Sequence, residues 1–248
     1  MTGIEVYRCY DEYGPLRVFD DGSYRYLTFG EGGEQSRIDM NNRAQPVYEY
    51  IQAMLMALLF SPTPRHATLL GLGAGSLANA LLHYSSTLEI EAIELRPQVV
   101  AVAQNWFQLD NSQRLTLHIN DAKLYLEQSP ASTDLIFTDI FNDHGMQEDQ
   151  LDQIFLDNCY QCLSADGILV LNLWDEGKGF HPLARERLSE LFGRQWIFCP
   201  VDSGNLIVYA FKGGVSDISH RRLQPAAKRL GKALNAPFNR LINKLQQV

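Results

Sequence analysis

The stretch that covers residues 67–94 constrains the fold more than any other part of this sequence. It reads ATLLGLGAGSLANALLHYSSTLEIEAIE, which predicts a buried strand over residues 68–72, a glycine turn, a helix and a second strand that ends at Glu94. A strand that runs through glycines into a helix brings unpaired backbone N–H groups and the positive end of the helix dipole to one point. Glu94 follows the last glycine at close to the spacing used for holding ribose hydroxyls. The stretch therefore predicts an adenosine-cofactor site.

The rest of the chain is predicted to alternate between strands and helices. Short β-branched and aromatic runs with glycine-rich turns predict a small antiparallel β unit over residues 4–39. A helical apolar stripe covers residues 45–60, and further strands and helices follow Glu94. The last two strands, at residues 196–201 and 206–211, flank the turn DSGN, which predicts an antiparallel hairpin.

These patterns predict an α/β fold with a mostly parallel, Rossmann-like sheet, helices on both faces and a terminal antiparallel hairpin. We divide the chain into an N-terminal β unit at residues 1–44, an adenosyl-cofactor-binding domain at residues 45–214 and a basic amphipathic helical tail at residues 215–248.

Charge is distributed unevenly along the chain. Residues 217–248 hold seven basic residues and one acidic residue, although the whole chain has a net charge of −8. A basic tail on an acidic body favours docking of the tail on the protein's own body or on a twin subunit, so we consider a homodimer. A membrane surface or nucleic acid is the alternative partner of the tail, but the acidic body argues against nucleic acid as the main substrate.

Composition and cysteine use favour a soluble cytoplasmic protein. The longest apolar run, residues 53–60, is much shorter than the about 20 residues that span a bilayer, and the N-terminus lacks the apolar core of a secretory signal. Four cysteines in 248 residues do not form a disulfide framework. The pair Cys159 and Cys162 falls inside a predicted helix without a second pair, and the histidines have no ligand spacing, so we expect no metal.

The glycine turn also restricts the kind of cofactor. Ser76 stands where the dinucleotide fingerprint needs its third glycine, so nicotinamide or flavin binding fits poorly. The turn and the terminal hairpin both resemble the class I S-adenosylmethionine-dependent methyltransferase fold, which makes the expected sheet a methyltransferase-type sheet.

Within that fold, the sequence resembles the spermidine synthase (polyamine aminopropyltransferase)-like family over about residues 1–212. The resemblance is carried by the order of several blocks behind an N-terminal β unit. These blocks are QSRIDMNNRAQPVYEYIQAM, LLGLGAGSLA, IEAIELRPQVVAVAQNWF, RLTLHINDAKLYL, DLIFTDIFNDHG and LSADGILVLNLW.

The resemblance implies a set of residues that hold S-adenosylmethionine or its decarboxylated form as a co-substrate. The glycines would let the backbone approach the methionine-derived part, Glu94 would accept from the ribose hydroxyls, and Asp121 and the N–H of Ala122 would bind adenine. This cofactor-binding set is Gln35, Gly71, Gly73, Gly75, Glu94, Asp121 and Ala122.

The resemblance also implies an amine site, with Asp139 as the catalytic residue. An alkylamine has a pKa of about 10.4 and must lose a proton before it attacks the carbon next to a sulfonium. Asp139 would orient the amine and accept that proton, whereas the leaving thioether needs no acid. The substrate-binding residues implied are Tyr48, Asn142 and Asp143.

Two departures from the family pattern keep other functions open. The family usually has an aspartate, which helps to hold the aminopropyl ammonium, where this chain has Ala74. That favours a methyltransferase that uses intact S-adenosylmethionine. Asn142 replaces the second carboxylate of the family's DSSDP-like motif, which favours a non-catalytic adenosyl-binding protein. Asp121 and Asp139 could also simply cap the turns that follow their strands.

Overall fold

The computed structural model describes residues 3–30, 33–128, 132–142, 145–146, 148–174, 181–202, 204–215 and 218–247, with only the backbone at positions 142, 145 and 148. An N-terminal antiparallel sheet comes first. It consists of β1 (Ile4–Asp11), β2 (Gly14–Asp21), β3 (Tyr24–Phe29) and β4 (Glu34–Asp39), paired in sequence order. The fourth strand was not predicted, because its sequence EQSRID buries only Ser36 and Ile38 and so lacks an apolar run.

The middle of the chain alternates between helices and strands. The elements are α1 (Glu49–Leu55), a 3-10 helix (Met56–Leu59), β5 (His66–Leu70), α2 (Ser76–Tyr84), β6 (Glu89–Glu94), α3 (Pro97–Trp106), β7 (Leu115–Ile119), α4 (Ala122–Gln128) and β8 (Thr133–Thr138). They are followed by β9 (Phe141–Asn142), β10 (Gly145–Met146), a 3-10 helix (Glu148–Leu151), α5 (Gln153–Cys162), β11 (Leu163–Trp174), α6 (Pro182–Phe192), β12 (Trp196–Pro200) and β13 (Asn205–Phe211).

The C-terminal elements are α7 (His220–Leu234), α8 (Phe238–Leu241), a 3-10 helix (Ile242–Lys244) and the short strand β14 (Gln246–Gln247). The strand order in the large sheet is β7-β6-β5-β8-β11-β13-β12-β14. The strands from β7 to β11 are parallel, and β13 runs antiparallel to both β11 and β12. The predicted α/β class, the mostly parallel sheet and the terminal hairpin are therefore confirmed.

Helices cover both faces of the large sheet and produce two apolar layers. One layer packs α1, α2, α7 and α8 on one face, and the other packs α5 and α6 on the opposite face. Strands buried on both faces give nearly continuous apolar runs such as ILVL in β11, which explains why they could be recognised in the sequence. Full burial of each large apolar side chain contributes about 1.5–3 kcal/mol to stability.

Several predicted boundaries were wrong by a few residues. β5 ends at Leu70, before the glycines, and α1 begins at Glu49 after an extended segment that contains Pro46. The segment SADG, whose composition predicts a turn after the preceding helix, lies within the bounds of β11, which pairs with β8 at Leu163 and again from Ile168. Residues 164–167 have no partner on β8 and form an irregularity in the ladder, so the local turn signal interrupts the pairing without ending the strand.

The basic tail packs on the protein's own body, as predicted. The apolar face of α7 carries Leu223, Ala227, Leu230 and Leu234, all buried in the same apolar layer as α2. Nζ of Lys244 then ties the end of the tail to Glu49 at 2.8 Å and to Asp202 at 2.7 Å. The division into three domains stays a prediction.

Candidate active site

A cleft of about 1170 Å³ opens where the parallel strands of the large sheet end. Its walls come from the ends of β5, β6, β7, β8 and β11, together with residues of the N-terminal sheet and of α1. Ligands of open α/β sheets bind at this edge. Most of the predicted site residues meet here, although they lie far apart in the sequence.

The glycine turn forms the floor of the cleft at Gly71 and Gly73. Gly71 has φ +101°, and a Cβ at this position would overlap the carbonyl oxygen of Asp139. Gly73 has φ +54° and faces Ser36 of the N-terminal sheet. Gly75 has φ +83° and a different task, because a Cβ there would overlap the side chain of Leu109. Gly75 thus allows the turn to pack against Leu109, which follows α3. Only the other two glycines form the floor of the cleft.

Glu94 lies half-buried at the end of β6 and faces the turn. Its Oε2 accepts from the backbone N–H of Leu72 at 3.1 Å and its Oε1 accepts from that of Arg96 at 3.0 Å. Burial raises the pKa of Glu94, and these backbone hydrogen bonds oppose that effect. Each oxygen keeps a further lone pair, so the fixed carboxylate is able to accept from two neighbouring hydroxyls.

Arg96 connects this carboxylate to the N-terminal sheet. Its guanidinium binds Asp11 through two hydrogen bonds of 2.9 and 2.8 Å and lies 4.7 Å from the ring centroid of Phe29. Arg96 is only 8% exposed. Arg96 therefore fastens β1 and β3 to the end of the cleft that Glu94 lines.

Asp121 and Ala122 line the cleft at the end of β7. Oδ1 of Asp121 accepts from the backbone N–H groups of Lys123 at 2.8 Å and Leu124 at 3.1 Å. Asp121 therefore caps α4, as the simpler interpretation of this residue expected. Capping occupies Oδ1 and leaves Oδ2 for a ligand, so the cap and the predicted adenine contact are compatible.

Asp139 follows β8 directly and lies at the centre of the cleft. Its backbone N–H donates to the carbonyl of Leu70 at 2.9 Å, and its Oδ1 accepts from Nδ2 of Asn172 at 2.7 Å. Burial raises the pKa of Asp139 to about 6, and the negative charge of Glu94 adds to this, whereas hydrogen bonds from Asn172 and Tyr50 oppose it. A buried carboxyl whose pKa approaches neutrality is typical of a proton acceptor in catalysis.

The structure assigns the tyrosine of the cleft to Tyr50 and not to Tyr48. The Tyr50 hydroxyl bonds the Asp139 carboxyl and lies 3.4 Å from the carbonyl oxygen of Gln35, which also lines the cleft. The Tyr48 hydroxyl instead donates to Glu34, which Arg37 holds through hydrogen bonds of 2.8 and 2.6 Å. Because α1 begins only at Glu49, Tyr48 still has extended backbone and its side chain supports the wall from behind.

The structure describes the other expected amine-site residues only in part. Asn142 lies in β9, of which only the backbone is described at this position, and Asp143 lies outside the described residues. Ala74 does not line the cleft and is not exposed to solvent. It is buried in the apolar cluster beneath the N-terminal sheet, with Leu16 and Val18. The side chain at position 74 therefore contributes nothing to the described cleft wall.

Sequence reasoning missed several polar residues of the cleft. Gln150 and Asn172 are each 1% exposed yet line the cleft, and His181, whose Nδ1 has no hydrogen-bond partner, also lines it. Asn172 had a signal, because it is the only polar residue in the run ILVLNLW of a strand buried on both faces. Tyr50 had none, since it also fitted the apolar stripe of α1.

The described part of the chain contains neither a metal-binding cluster nor a membrane-spanning helix. No group of three or more His, Cys, Asp and Glu among the described residues is placed to hold a metal. No described helix has both the length and the apolar character needed to cross a membrane. The four cysteines are free thiols.

Three relatives match the sequence of this chain. The chain is 29% identical over 228 residues to the polyamine aminopropyltransferase of Neisseria meningitidis serogroup A, covering 91% of this chain and 86% of the relative. It is also 29% identical to the polyamine aminopropyltransferase of Chromobacterium violaceum, covering 94% and 89%. A more distant relative is the eEF1A lysine and N-terminal methyltransferase of Xenopus laevis, at 25% identity over 82% of this chain and 32% of the relative.

Solved structures agree on the fold. A probable spermidine synthase from Corynebacterium glutamicum superposes with a TM-score of 0.75 at 18% identity, over 94% of this chain and 87% of that one. Human methyltransferase-like protein 13 in complex with SAH superposes with a TM-score of 0.66 at 23% identity, over 77% and 94%. These two likenesses show the methyltransferase-like fold.

The family model for the spermine/spermidine synthase domain matches residues 47–176, which is more than half of the chain and includes the glycine turn, Glu94, Asp121 and Asp139. The matched segment thus supplies most of the residues that line the cleft, and the chain belongs to the spermine/spermidine synthase family.

Proposed function

We propose that this chain is a polyamine aminopropyltransferase, which moves an aminopropyl group from decarboxylated S-adenosylmethionine to a small amine. The two relatives described above that match more than 90% of its length carry that name. The observation that carries the proposal is the position of Asp139, a half-buried carboxyl with a raised pKa that lies against the glycine turn in the same cleft as Glu94.

The adenosine end of the cleft holds the donor. Glu94, fixed by two backbone N–H groups, accepts from both ribose hydroxyls, and Oδ2 of Asp121 with the N–H of Ala122 meets the adenine edge. Gly71 and Gly73 let the turn approach the sulfur-bearing chain, with Gln35 on the opposite wall. Because both carboxylates are fixed before the donor arrives, little ordering is needed on binding.

The amine end of the cleft carries out the proton transfer. The acceptor arrives as an ammonium, and Asp139 orients it and takes its proton. The nitrogen lone pair then attacks the propyl carbon, so that an N–C bond forms while the C–S bond breaks and its electrons pass to sulfur, which leaves as the neutral thioether methylthioadenosine. The raised pKa of Asp139 narrows the gap to an amine of pKa about 10.4, which makes this proton transfer less costly.

Methyl transfer from intact S-adenosylmethionine is the second candidate function. The matching methyltransferase relative and Ala74, which places no carboxylate in the wall, favour it. The described wall near Gly73 contains Ser36 and Ser76 but no unpaired cation for a donor carboxylate, which favours the decarboxylated donor. A non-catalytic adenosyl-binding role would leave the raised pKa of Asp139 without a use.

The test is a product assay with each donor and a diamine, read by mass spectrometry. We expect equal amounts of methylthioadenosine and aminopropylated amine from decarboxylated S-adenosylmethionine. Formation of S-adenosylhomocysteine from the intact donor would identify a methyltransferase instead, and binding without any product would identify a non-catalytic protein. The same assay is then applied to the variant Asp139→Asn. Its matched control is Asp134→Asn, because Asp134 lies at the other end of β8 and accepts a hydrogen bond from the backbone N–H of Arg65.

We also propose that the enzyme acts in the cytoplasm as a homodimer. The free cysteines fit a reducing compartment, and the substrates are small intracellular amines in this scheme. Size-exclusion chromatography with light scattering tests the dimer, and a monomer at working concentrations would contradict it.

A further inference from the structure

Buried amide side chains are concentrated behind Asp139. Asn172 is 1% exposed and Asn205 is 6% exposed, and both lie in the middle of a sheet whose other residues are almost all apolar. An amide removed from water costs stability unless its hydrogen bonds are made. Two such residues on neighbouring strands therefore need an explanation in terms of the contacts that they make.

The two amides form a relay that ends on the catalytic carboxyl. Nδ2 of Asn205 donates to Oδ1 of Asn172 at 2.9 Å, and Nδ2 of Asn172 donates to Oδ1 of Asp139 at 2.7 Å. The antiparallel direction of β13 makes this possible, because it brings the first residue of β13 opposite Trp174, at the same sheet edge where β8 ends.

The direction of the relay is fixed by chemistry. An ionised carboxylate only accepts hydrogen bonds, so the Asn172 amide must turn its Nδ2 towards Asp139. Its Oδ1 then faces Asn205, whose Nδ2 supplies the matching donor. A flipped Asn172 amide would set its oxygen against the carboxylate and its N–H₂ against the N–H₂ of Asn205.

This geometry gives the two oxygens of Asp139 different roles. A proton on Oδ1 would point at the N–H of Asn172, which cannot accept it, so protonation there breaks the relay. Resting on the function proposed above, we propose that Asn172, anchored by Asn205, is a positioning residue that reserves Oδ1 of Asp139 and directs the proton of the substrate amine to Oδ2. The amine nitrogen therefore approaches Asp139 from one side only.

Two other titratable groups among the described residues face Asp139. Tyr50 from α1 bonds the carboxyl with its hydroxyl, and Glu94 from β6 repels its charged form. Neither group distinguishes the two oxygens in the way that the relay does, since a hydroxyl both donates and accepts and the Glu94 charge acts at a distance. Substitution of Asn172 or Asn205 can therefore remove the relay while Tyr50 and Glu94 stay in place.

The test replaces Asn172 by leucine, which has similar volume, and follows the carboxyl signal of Asp139 by ¹³C NMR, assigned with Asp139→Asn. Loss of a hydrogen bond to the charged form should raise the titration midpoint by about one to two pH units. The acid limb of the kcat profile should move by the same amount, while the affinity for methylthioadenosine stays unchanged. Asn205→Ala should move both in the same direction by less, and it serves if Asn172→Leu does not fold.

Thr133→Val is the matched control. Thr133 is buried at the other end of β8, where its hydroxyl donates to the backbone carbonyl of His66 at 3.1 Å. Its loss should lower stability without moving the Asp139 midpoint. An unchanged midpoint in both relay variants would overturn the inference. The NMR titration does not depend on turnover, so a wild-type protein that fails to transfer aminopropyl groups would refute the proposed function and leave this result readable.

Discussion

The two ends of the cleft hold their carboxylates in different ways. At the adenosine end, backbone N–H groups fix Glu94 and Asp121, and the residues that donate lie in the same turns or in the glycine stretch. At the amine end, side chains fix Asp139: Asn172 comes from β11 and Tyr50 from α1. Backbone donors hold a carboxylate in one orientation as an acceptor for hydroxyl groups, whereas Asp139, whose pKa burial raises to about 6, is able to take up a proton.

This difference separates binding from chemistry. Variants at the adenosine end should change the affinity for the donor, and variants at the amine end should change the rate and its pH dependence. Each of the following predictions either confirms that separation or breaks it.

The largest effect is expected for Asp139→Asn. The amide cannot accept a proton, so kcat should fall by about 10²–10⁴-fold, the range for loss of a general base. Calorimetry should find the affinity for methylthioadenosine unchanged, because that ligand lacks the aminopropyl group. Asp134→Asn should keep kcat. Full turnover by Asp139→Asn would show that another group takes the proton.

Glu94→Gln should weaken donor binding. Loss of hydrogen bonds to a charged group, about 1.5–3 kcal/mol, corresponds to a roughly 10- to 100-fold higher Kd. Because the Glu94 charge raises the pKa of Asp139, the acid limb of the rate profile should also move to lower pH. Glu89→Gln, at the exposed start of the same strand, is the control. An unchanged Kd would remove Glu94 from the ribose site.

Gly71→Ala should be more harmful than Gly14→Ala. Both glycines have φ just above +100°, so both substitutions carry the cost of a side chain at positive φ, of about 1–2 kcal/mol. Only at Gly71 does the new Cβ overlap the carbonyl of Asp139, whereas nothing lies within 4 Å at Gly14. Thermal unfolding should therefore show a lower Tm for Gly71→Ala. Equal Tm values would mean that the turn relaxes away from Asp139 without cost.

The stability of the protein should respond to pH through Asp139. Its folded pKa of about 6 exceeds the ordinary value of 3.8, so the folded state binds the proton more tightly than the unfolded state. This contribution to stability is complete below about pH 4 and is lost as the pH rises through 6. Relative to the wild type, Asp139→Asn should thus gain Tm between pH 4 and 7. A constant difference in Tm across this range would contradict the raised pKa.

The smallest effect separates the two tyrosines. Tyr50→Phe should lower kcat several-fold, by about 1 kcal/mol, because it removes a hydrogen bond to Asp139. Tyr48→Phe should leave kcat unchanged and alter only stability, since its hydroxyl bonds Glu34. The reverse result would restore Tyr48 to the amine channel.

The same difference explains what the sequence could reveal. The adenosine end can be recognised from contiguous sequence patterns. The backbone N–H groups that bind Glu94 and Asp121 belong to a glycine turn, to the end of a strand and to the start of a helix, and each of these has a local sequence signal. The amine end cannot be recognised in this way, since Asn172 and Asp139 are 33 positions apart and meet only after β8 and β11 pair. The resemblance implied Tyr48, and the sequence could not separate it from Tyr50 because the predicted helical segment began at residue 45, whereas α1 begins at Glu49.

The most direct test of the account is a calorimetric comparison of the two donors on the wild-type protein. The described cleft holds the carboxyl of Asp139, whose Oδ1 is bound by Asn172, to attract a cationic aminopropyl group, and it holds no unpaired cation for a donor carboxylate. We therefore predict that decarboxylated S-adenosylmethionine binds more tightly than the intact form, and that Glu94→Gln weakens both. Tighter binding of intact S-adenosylmethionine would contradict aminopropyl transfer as the function of this cleft.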